Sequence, residues 1–198
     1  YNNHKKIEQT PYLFNFLIKI YFGLIGYQEE YSRIIPASCS ALTMITLCFL
    51  SKHLGSERSY IFTLFLISFN IFLISYSQEL RVYSTLLFFI SLSMLFFFYQ
   101  LNKDSNFLII CFTIVTTITI LLHPFSFILL LSYIIYSCYL SLNKEINKKL
   151  YFAVMILTIF FISFYYFFLQ NSLDVPTWIV QPNVKFFTED SSEYHPLN

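Results

Sequence analysis

The chain has 198 residues, of which 57% are hydrophobic, 12% are charged and 25 are Phe, with a formal net charge of +1. Soluble domains carry roughly a quarter charged residues, so the composition excludes an ordinary soluble domain and indicates an integral membrane protein. A charge this close to zero argues against nucleic acid as a partner and against a polybasic membrane arm.

In the first apolar segment, 12–25, Phe14, Leu17, Ile18, Tyr21, Phe22 and Ile25 recur at helical spacing, with Asn15 and Lys19 off the densest part of the stripe. The segment is short and Lys19 sits in its middle, which predicts a helix lying in the membrane interface. A short tilted span with a snorkelling Lys19 is the alternative. The chain then turns at Gly26, passes Glu29 and Glu30, and enters the membrane at Arg33-Ile34-Ile35-Pro36. Pro is tolerated in a first helical turn, where its missing N–H would have no partner.

Six apolar runs follow, at 34–51, 59–78, 82–102, 105–122, 124–143 and 150–173. A helix needs about 20 apolar residues to cross a hydrocarbon core of ~30 Å. The runs are apolar all round rather than alternating, which argues against barrel strands. In lipid their backbone groups must be satisfied internally, so they are expected to be helices. The expected fold is an all-α, polytopic transmembrane bundle of about six spans plus the interfacial helix. Residues 1–173 form the membrane domain, and 174–198 an external loop or the start of a further C-terminal part. The chain starts at Tyr1 and stops in polar sequence, so it reads as a fragment lacking an N-terminal span and a C-terminal part. Cys39, Cys48, Cys111 and Cys138 lie inside apolar runs without metal-ligand spacing and read as buried small hydrophobes.

Loop charges set the orientation. The connections at 52–58, 102–105 and 144–149 hold Lys52, Arg58, Lys103, Lys144, Lys148 and Lys149, whereas those around 78–82 and 123–124 hold only Arg81. Short loops rich in Lys and Arg stay cytoplasmic. Glu79, Arg81 and His123 are therefore expected on the external side, with segments 1–33 and 171–198.

The densest chemistry is in Tyr76-Ser77-Gln78-Glu79-Leu80-Arg81-Val82-Tyr83. Neither 59–78 nor 82–102 contains an Asp, Glu, Lys or Arg, so this carboxylate and guanidinium stand where two spans meet water. Ionisable groups so close to hydrocarbon tend to be functional or to mark a strict boundary. Two residues of spacing is too short for the pair to face each other on one helix. They are expected to serve different partners, such as a substrate and a lipid head group.

The order of features resembles a known family. Pro11-Tyr12-Leu13-Phe14 is followed by Gly26, an acidic pair, Arg33-Ile34-Ile35-Pro36-Ala37-Ser38, and a span ending Lys52-His53-Leu54-Gly55. Another span then leads to Tyr-Ser-Gln-Glu-x-Arg-x-Tyr, His123-Pro124-Phe125 and, late in the chain, Trp178-Ile179-x-x-Pro182. Over residues 11–187 this resembles the dolichyl-phosphate-mannose-protein mannosyltransferase-like family. These are polytopic GT-C fold glycosyltransferases, also grouped as family 39, and include bacterial enzymes that add aminoarabinose to lipid A.

The resemblance implies transfer of a sugar from a polyprenyl-phosphate donor to a protein or lipid/glycan acceptor on the external membrane face. It implies a carboxylate that deprotonates or positions the acceptor, and basic residues that hold the phosphate of the departing carrier. On that basis Glu79 is the catalytic candidate, and Arg81 and Arg33 are the donor-phosphate candidates. Tyr76, Gln78, Tyr83, His123 and Trp178 are expected to line the cavity. One departure matters: the family's principal acidic motif precedes the aromatic segment, where this chain has only Glu8 and reads Gln9-Thr10-Pro11. The primary acid is therefore not assigned.

Each candidate also has a plainer role. Glu79 would suit the positive end of the following helix, and Arg81 and Arg33 would suit head-group anchors. His123 would fill a turn with Pro124, and Tyr76, Tyr83 and Trp178 would fit an aromatic belt. Asn70 and the Ser and Thr residues within spans read as helix-packing contacts. No metal site or other cofactor site is evident. A multi-pass transporter or a non-catalytic membrane assembly protein is the alternative class, although the span midplanes hold almost no ionisable residues. The Phe-, Ile-, Lys- and Asn-rich composition suggests an AT-rich coding genome and hence a bacterial inner membrane, with the active face outward.

Overall fold

The computed structural model describes residues 12–26, 31, 33–142 and 147–171. The described residues form helices and connections, with no strand among them. The helices are α1 (Tyr12–Ile25), α2 (Ile34–Leu54), α3 (Ser59–Ser68), α4 (Ile71–Gln78), α5 (Val82–Asn102), α6 (Asn106–Leu122), α7 (Ser126–Leu142) and α8 (Lys148–Asn171). This is the expected all-α membrane bundle. Three helices, α2, α5 and α8, are each long and apolar enough to cross a membrane alone.

One expected span is broken. The uncharged run 59–78 forms two helices, α3 and α4, bent by 58°. Asn70 makes the break, because its Oδ1 accepts from the Phe72 N–H at 3.0 Å and the Leu73 N–H at 3.2 Å. A side-chain amide that competes for backbone donors stops one helix and caps the next. Asn70 is thus a cap rather than a packing contact. The hydrophobic pattern alone had no means of separating the halves.

Contacts along the helices establish how the chain threads. Thr46 and Ser91 hydroxyls meet at 2.6 Å. Further on, His53 Nε2 lies 2.9 Å from the Asn102 amide and its ring 4.2 Å from that of Tyr99. Moving forward on α2 is therefore moving forward on α5, so the two run parallel. The α3–α4 pair that joins them must return the full length of the bundle, which makes it a broken span and not a re-entrant loop. α6 runs back along α5, with Phe112 against Phe97 and Leu122 in one cluster with Val82 and Leu86. α8 runs parallel to α6, since Lys149 donates to Asn106 near its start and Tyr165 to the Ile120 carbonyl near its other end. α7 makes the return between them. At 17 residues, α6 and α7 are about 25 Å long, the lower limit for a span.

The core lies among α5, α6, α7 and α8. Phe97 stacks on Tyr133 at 4.4 Å, and Leu150, Val154 and Leu157 close the other side. The Ser93 hydroxyl joins Thr116 at 2.7 Å and Tyr133 at 2.8 Å. Such hydroxyl contacts hold neighbouring helices where lipid gives no hydrophobic drive between them. α3, by contrast, buries none of its residues. The cysteines depart from expectation, since Cys39, Cys48 and Cys111 are half-buried and Cys138 is exposed. A thiol facing hydrocarbon is solvated much as one in a core, so the apolar runs that hold them look alike in sequence.

α1 ends at Gly26, whose φ of +86° suits a residue without Cβ. Phe14 is buried, and Leu13 and Ile18 are half-buried, against Leu80, Val82, Tyr83, Leu86 and Leu122. Lys19 is exposed. Leu17 and Ile25 of the expected stripe are exposed instead. α1 therefore docks over one end of the bundle, the end that carries the 79–81 and 123–125 connections.

Candidate active site

The threading brings one set of sequence candidates to a single end. Arg33 precedes α2 and Arg81 precedes α5. These helices run parallel and adjacent, so the two arginines share that end with Glu79 and His123.

Glu79 and Arg81 are not on a helix. Glu79 follows the last residue of α4 with φ −102° and ψ 133°, and Arg81 precedes α5 with φ −127° and ψ 160°. The Arg81 N–H donates to the Glu79 carbonyl at 2.8 Å, closing a three-residue turn. The turn brings the side chains at its two ends close together. Arg81 Nε accordingly meets Glu79 Oε2 at 3.1 Å. The expectation that the two side chains do not face each other is corrected by this contact, because it rested on helical spacing and these residues lie off the helix. The side chains are 64% and 48% exposed, so the ion pair contributes little to stability, about 0–1 kcal/mol. It sets direction more than it adds energy. With the pair closing through Nε, the terminal nitrogens of the guanidinium fork are available to a ligand.

The helix end beneath Arg81 is bare. α5 has no side-chain cap at its N-terminus and no acid in its first turn. The same is true of α2 beneath Arg33. Both positive helix ends are thus without an anionic side chain of their own. The Ser84 hydroxyl in the first turn of α5 and the Ser40 hydroxyl on α2 are buried without a hydrogen-bond partner. Sequence reasoning had grouped them with ordinary packing hydroxyls. Nothing in their local sequence distinguishes them from Ser93, which is fully paired.

Two aromatic candidates, Tyr76 and Tyr83, come together with His123. Tyr76 and Tyr83 rings lie 5.1 Å apart, Tyr83 and His123 6.1 Å, and His123 and Phe125 4.5 Å. Phe125 is an addition to the expected set. His123 also fills its turn, as Nδ1 accepts from the Phe125 N–H at 3.1 Å and its carbonyl accepts from the Ser126 hydroxyl at 2.8 Å. Burial pushes the His123 pKa down, and the accepted bond at Nδ1 also favours the neutral ring. That bond assigns the neutral proton to Nε2.

Other candidates are not joined to this group. Arg33 is exposed and makes no ion pair with a described residue. Gln78 is exposed at the end of α4. Trp178 lies outside the described residues, as do Glu29, Glu30 and the expected external segment 174–198. Among the described residues no three His, Cys, Asp or Glu side chains group as metal ligands would.

The model of the dolichyl-phosphate-mannose-protein mannosyltransferase family matches residues 9–168. The chain belongs to this family. Membership makes it a membrane glycosyltransferase chain of the GT-C type. The match runs through the aromatic segment, the 76–83 octapeptide and the His123 loop, and stops short of Trp178. Neither a curated protein nor a solved structure matches the chain.

Proposed function

We propose that the Glu79 end of the bundle holds the sugar-phosphate end of a polyprenyl-phosphate sugar and passes its sugar to a protein or lipid/glycan acceptor. The observation that carries this reading is the Glu79–Arg81 ion pair poised over the bare N-terminus of α5. Arg81 receives the donor phosphate on its free fork, while Arg33 and the ends of α2 and α5 add positive potential. Phosphate binding draws the guanidinium from Glu79. The freed carboxylate then accepts a hydrogen bond from the acceptor nucleophile. The nucleophile attacks the anomeric carbon opposite the phosphate, the carbon–oxygen bond to phosphate breaks, and its electron pair leaves on the phosphate oxygen. Arg81 stabilises the charge that grows there. The base that takes the acceptor proton is not assigned among these residues.

Tyr76, Tyr83, His123 and, by resemblance, Trp178 form the wall beside the sugar, with Gln78 at the rim. The site faces away from the cytoplasm, because the opposite end carries Lys52, Arg58, Lys103, Lys148 and Lys149. In a bacterium this is the outer face of the inner membrane.

The experiment is sugar transfer from a labelled polyprenyl-phosphate sugar by the full-length protein in vesicles. Arg81→Ala is expected to abolish most transfer, and Glu79→Gln to reduce it, with membrane insertion unchanged. Parental rates in both variants would reduce the octapeptide to an interfacial boundary. The broken α3–α4 span is the one feature that favours a transporter, where discontinuous helices form binding sites. Yet Phe69 and Ile71 beside the break are exposed and apolar, and no ionisable residue stands near it.

A further inference from the structure

We propose that the bundle binds an anionic phospholipid in a recess between α6 and α8, at the end opposite Glu79. The recess is open and holds about 500 Å³, within the usual range for a small-ligand site. Lys148 and Lys149, in the first turn of α8, form its mouth. Below them the wall is apolar, with Phe152, Ala153 and Ile156 from α8 and Ile109 from α6. Thr113 also lines it, but its hydroxyl donates to the Ile109 carbonyl at 2.8 Å and so offers no free donor to a ligand. Phe152 and Ile156 are 68% and 52% exposed.

The geometry sorts ligands by chemistry. From Lys148 to Ile156 the helix rises about 12 Å, so cations at the membrane surface lead to a trough at hydrocarbon depth. Lys149 is held by Asp104 at 3.4 Å and Asn106 at 2.9 Å, which fixes it beside the mouth. Lys148 makes no ion pair with a described residue. A soluble anion would satisfy Lys148 and leave the apolar wall unused. A zwitterionic lipid would fill the trough with less attraction to the lysines. An anionic phospholipid matches both parts, its phosphate at the lysine pair and an acyl chain along Phe152 and Ile156. The occupant comes from the leaflet at the lysine-bearing end.

The test is native mass spectrometry of the full-length protein, stripped of lipid and titrated with phosphatidylglycerol, with phosphatidylcholine of the same chains, or with inorganic phosphate. Phosphatidylglycerol is expected to be retained most tightly. Lys148→Gln should weaken it roughly fivefold, as expected for one lysine near a membrane surface, and leave phosphatidylcholine unchanged. Lys148→Arg should retain it, and Phe152→Ala should weaken both lipids. Lys148 is exposed, so the lipid-free variants should keep the parental melting temperature. Equal retention of the two lipids would overturn the proposal. So would an unchanged Lys148→Gln, an unchanged Phe152→Ala, or inorganic phosphate displacing phosphatidylglycerol at equal concentration. None of these readouts is sugar transfer, so this site and the Glu79 site fail or stand separately.

Discussion

The two ends of the bundle use polar residues in opposite ways. At the lysine-bearing end the polar groups bond across helices. Lys149 joins Asp104 and Asn106, His53 meets Asn102, and the Asn147 amide reaches the Gln100 carbonyl at 3.4 Å. The Gln100 side chain is fully buried, and with its amide turned to donate it meets the carbonyls of Lys103 at 3.3 Å and Ser105 at 2.9 Å. At the Glu79 end, among the described residues, one exposed ion pair stands over two uncapped helix ends and three unpartnered hydroxyls, those of Ser40, Ser84 and Thr85. Buried polar groups normally find partners, so groups left open in a membrane protein point to a ligand or to water. One end ties helices together, and the other keeps donors available.

Removing the cation at the open end should have the largest effect. Arg81→Ala should lower the transfer rate roughly 100- to 1000-fold, the usual loss for one electrostatic group at a developing anion. Its melting temperature should stay near parental, because the pair it breaks is exposed. Arg81→Lys should recover only part of the rate, since a point charge replaces a fork. A large loss of stability with normal turnover per folded molecule would invert the comparison.

The tied end should behave the other way. Gln100→Leu leaves the carbonyls of Lys103 and Ser105 without their donor, a loss of about 1–3 kcal/mol. Thermal unfolding should reveal it, and transfer by the folded fraction should be unchanged. A selective loss of transfer in this variant would mean that the ends are coupled.

These contrasts were only partly legible in the sequence. The all-α bundle was, because length and absence of charge decide it: 82–102 was read as a span and forms α5 over Val82–Asn102, but of the six expected spans only α2, α5 and α8 are long enough alone among the described residues. The end shared by Glu79, Arg81 and His123 followed from the parity of the crossings. The Asn70 break was not legible, since one amide hardly changes the hydropathy of a 20-residue window. The Glu79–Arg81 contact was missed because spacing has meaning only once backbone conformation is known. Ser40 and Ser84 were missed because an unpartnered hydroxyl is a property of neighbours that arrive from another helix.

The Asn70 cap lies between the two ends and should have an intermediate effect. Asn70→Ala removes two accepted bonds and should destabilise the protein by about 1 kcal/mol. Asn70→Asp would keep the acceptor but place a charge where Phe69 and Ile71 are exposed to lipid, so Asn70→Ser is the better rescue. If Asn70→Ala melts with the parent, the bend is fixed by packing and not by the cap.

The smallest effect concerns His123 and is read through pH. Burial holds its pKa below the ordinary value of about 6.5, so the folded protein keeps a neutral ring where the unfolded chain has begun to take up a proton. Stability then rises with pH wherever the unfolded state binds more protons. The contribution of His123 is therefore complete above about pH 6.5 and is lost as the pH falls through its lowered folded pKa. Protonation at Nδ1 would also remove the acceptor for the Phe125 N–H. His123→Asn keeps an acceptor two residues before that N–H, in the manner of an Asx turn, and cannot titrate. Parent and variant should melt alike at pH 8, and the parent should lose more stability by pH 5.5. Parallel melting curves across that range would show that His123 does not couple proton binding to this turn, leaving its place beside Tyr83 as its sole link to the open end.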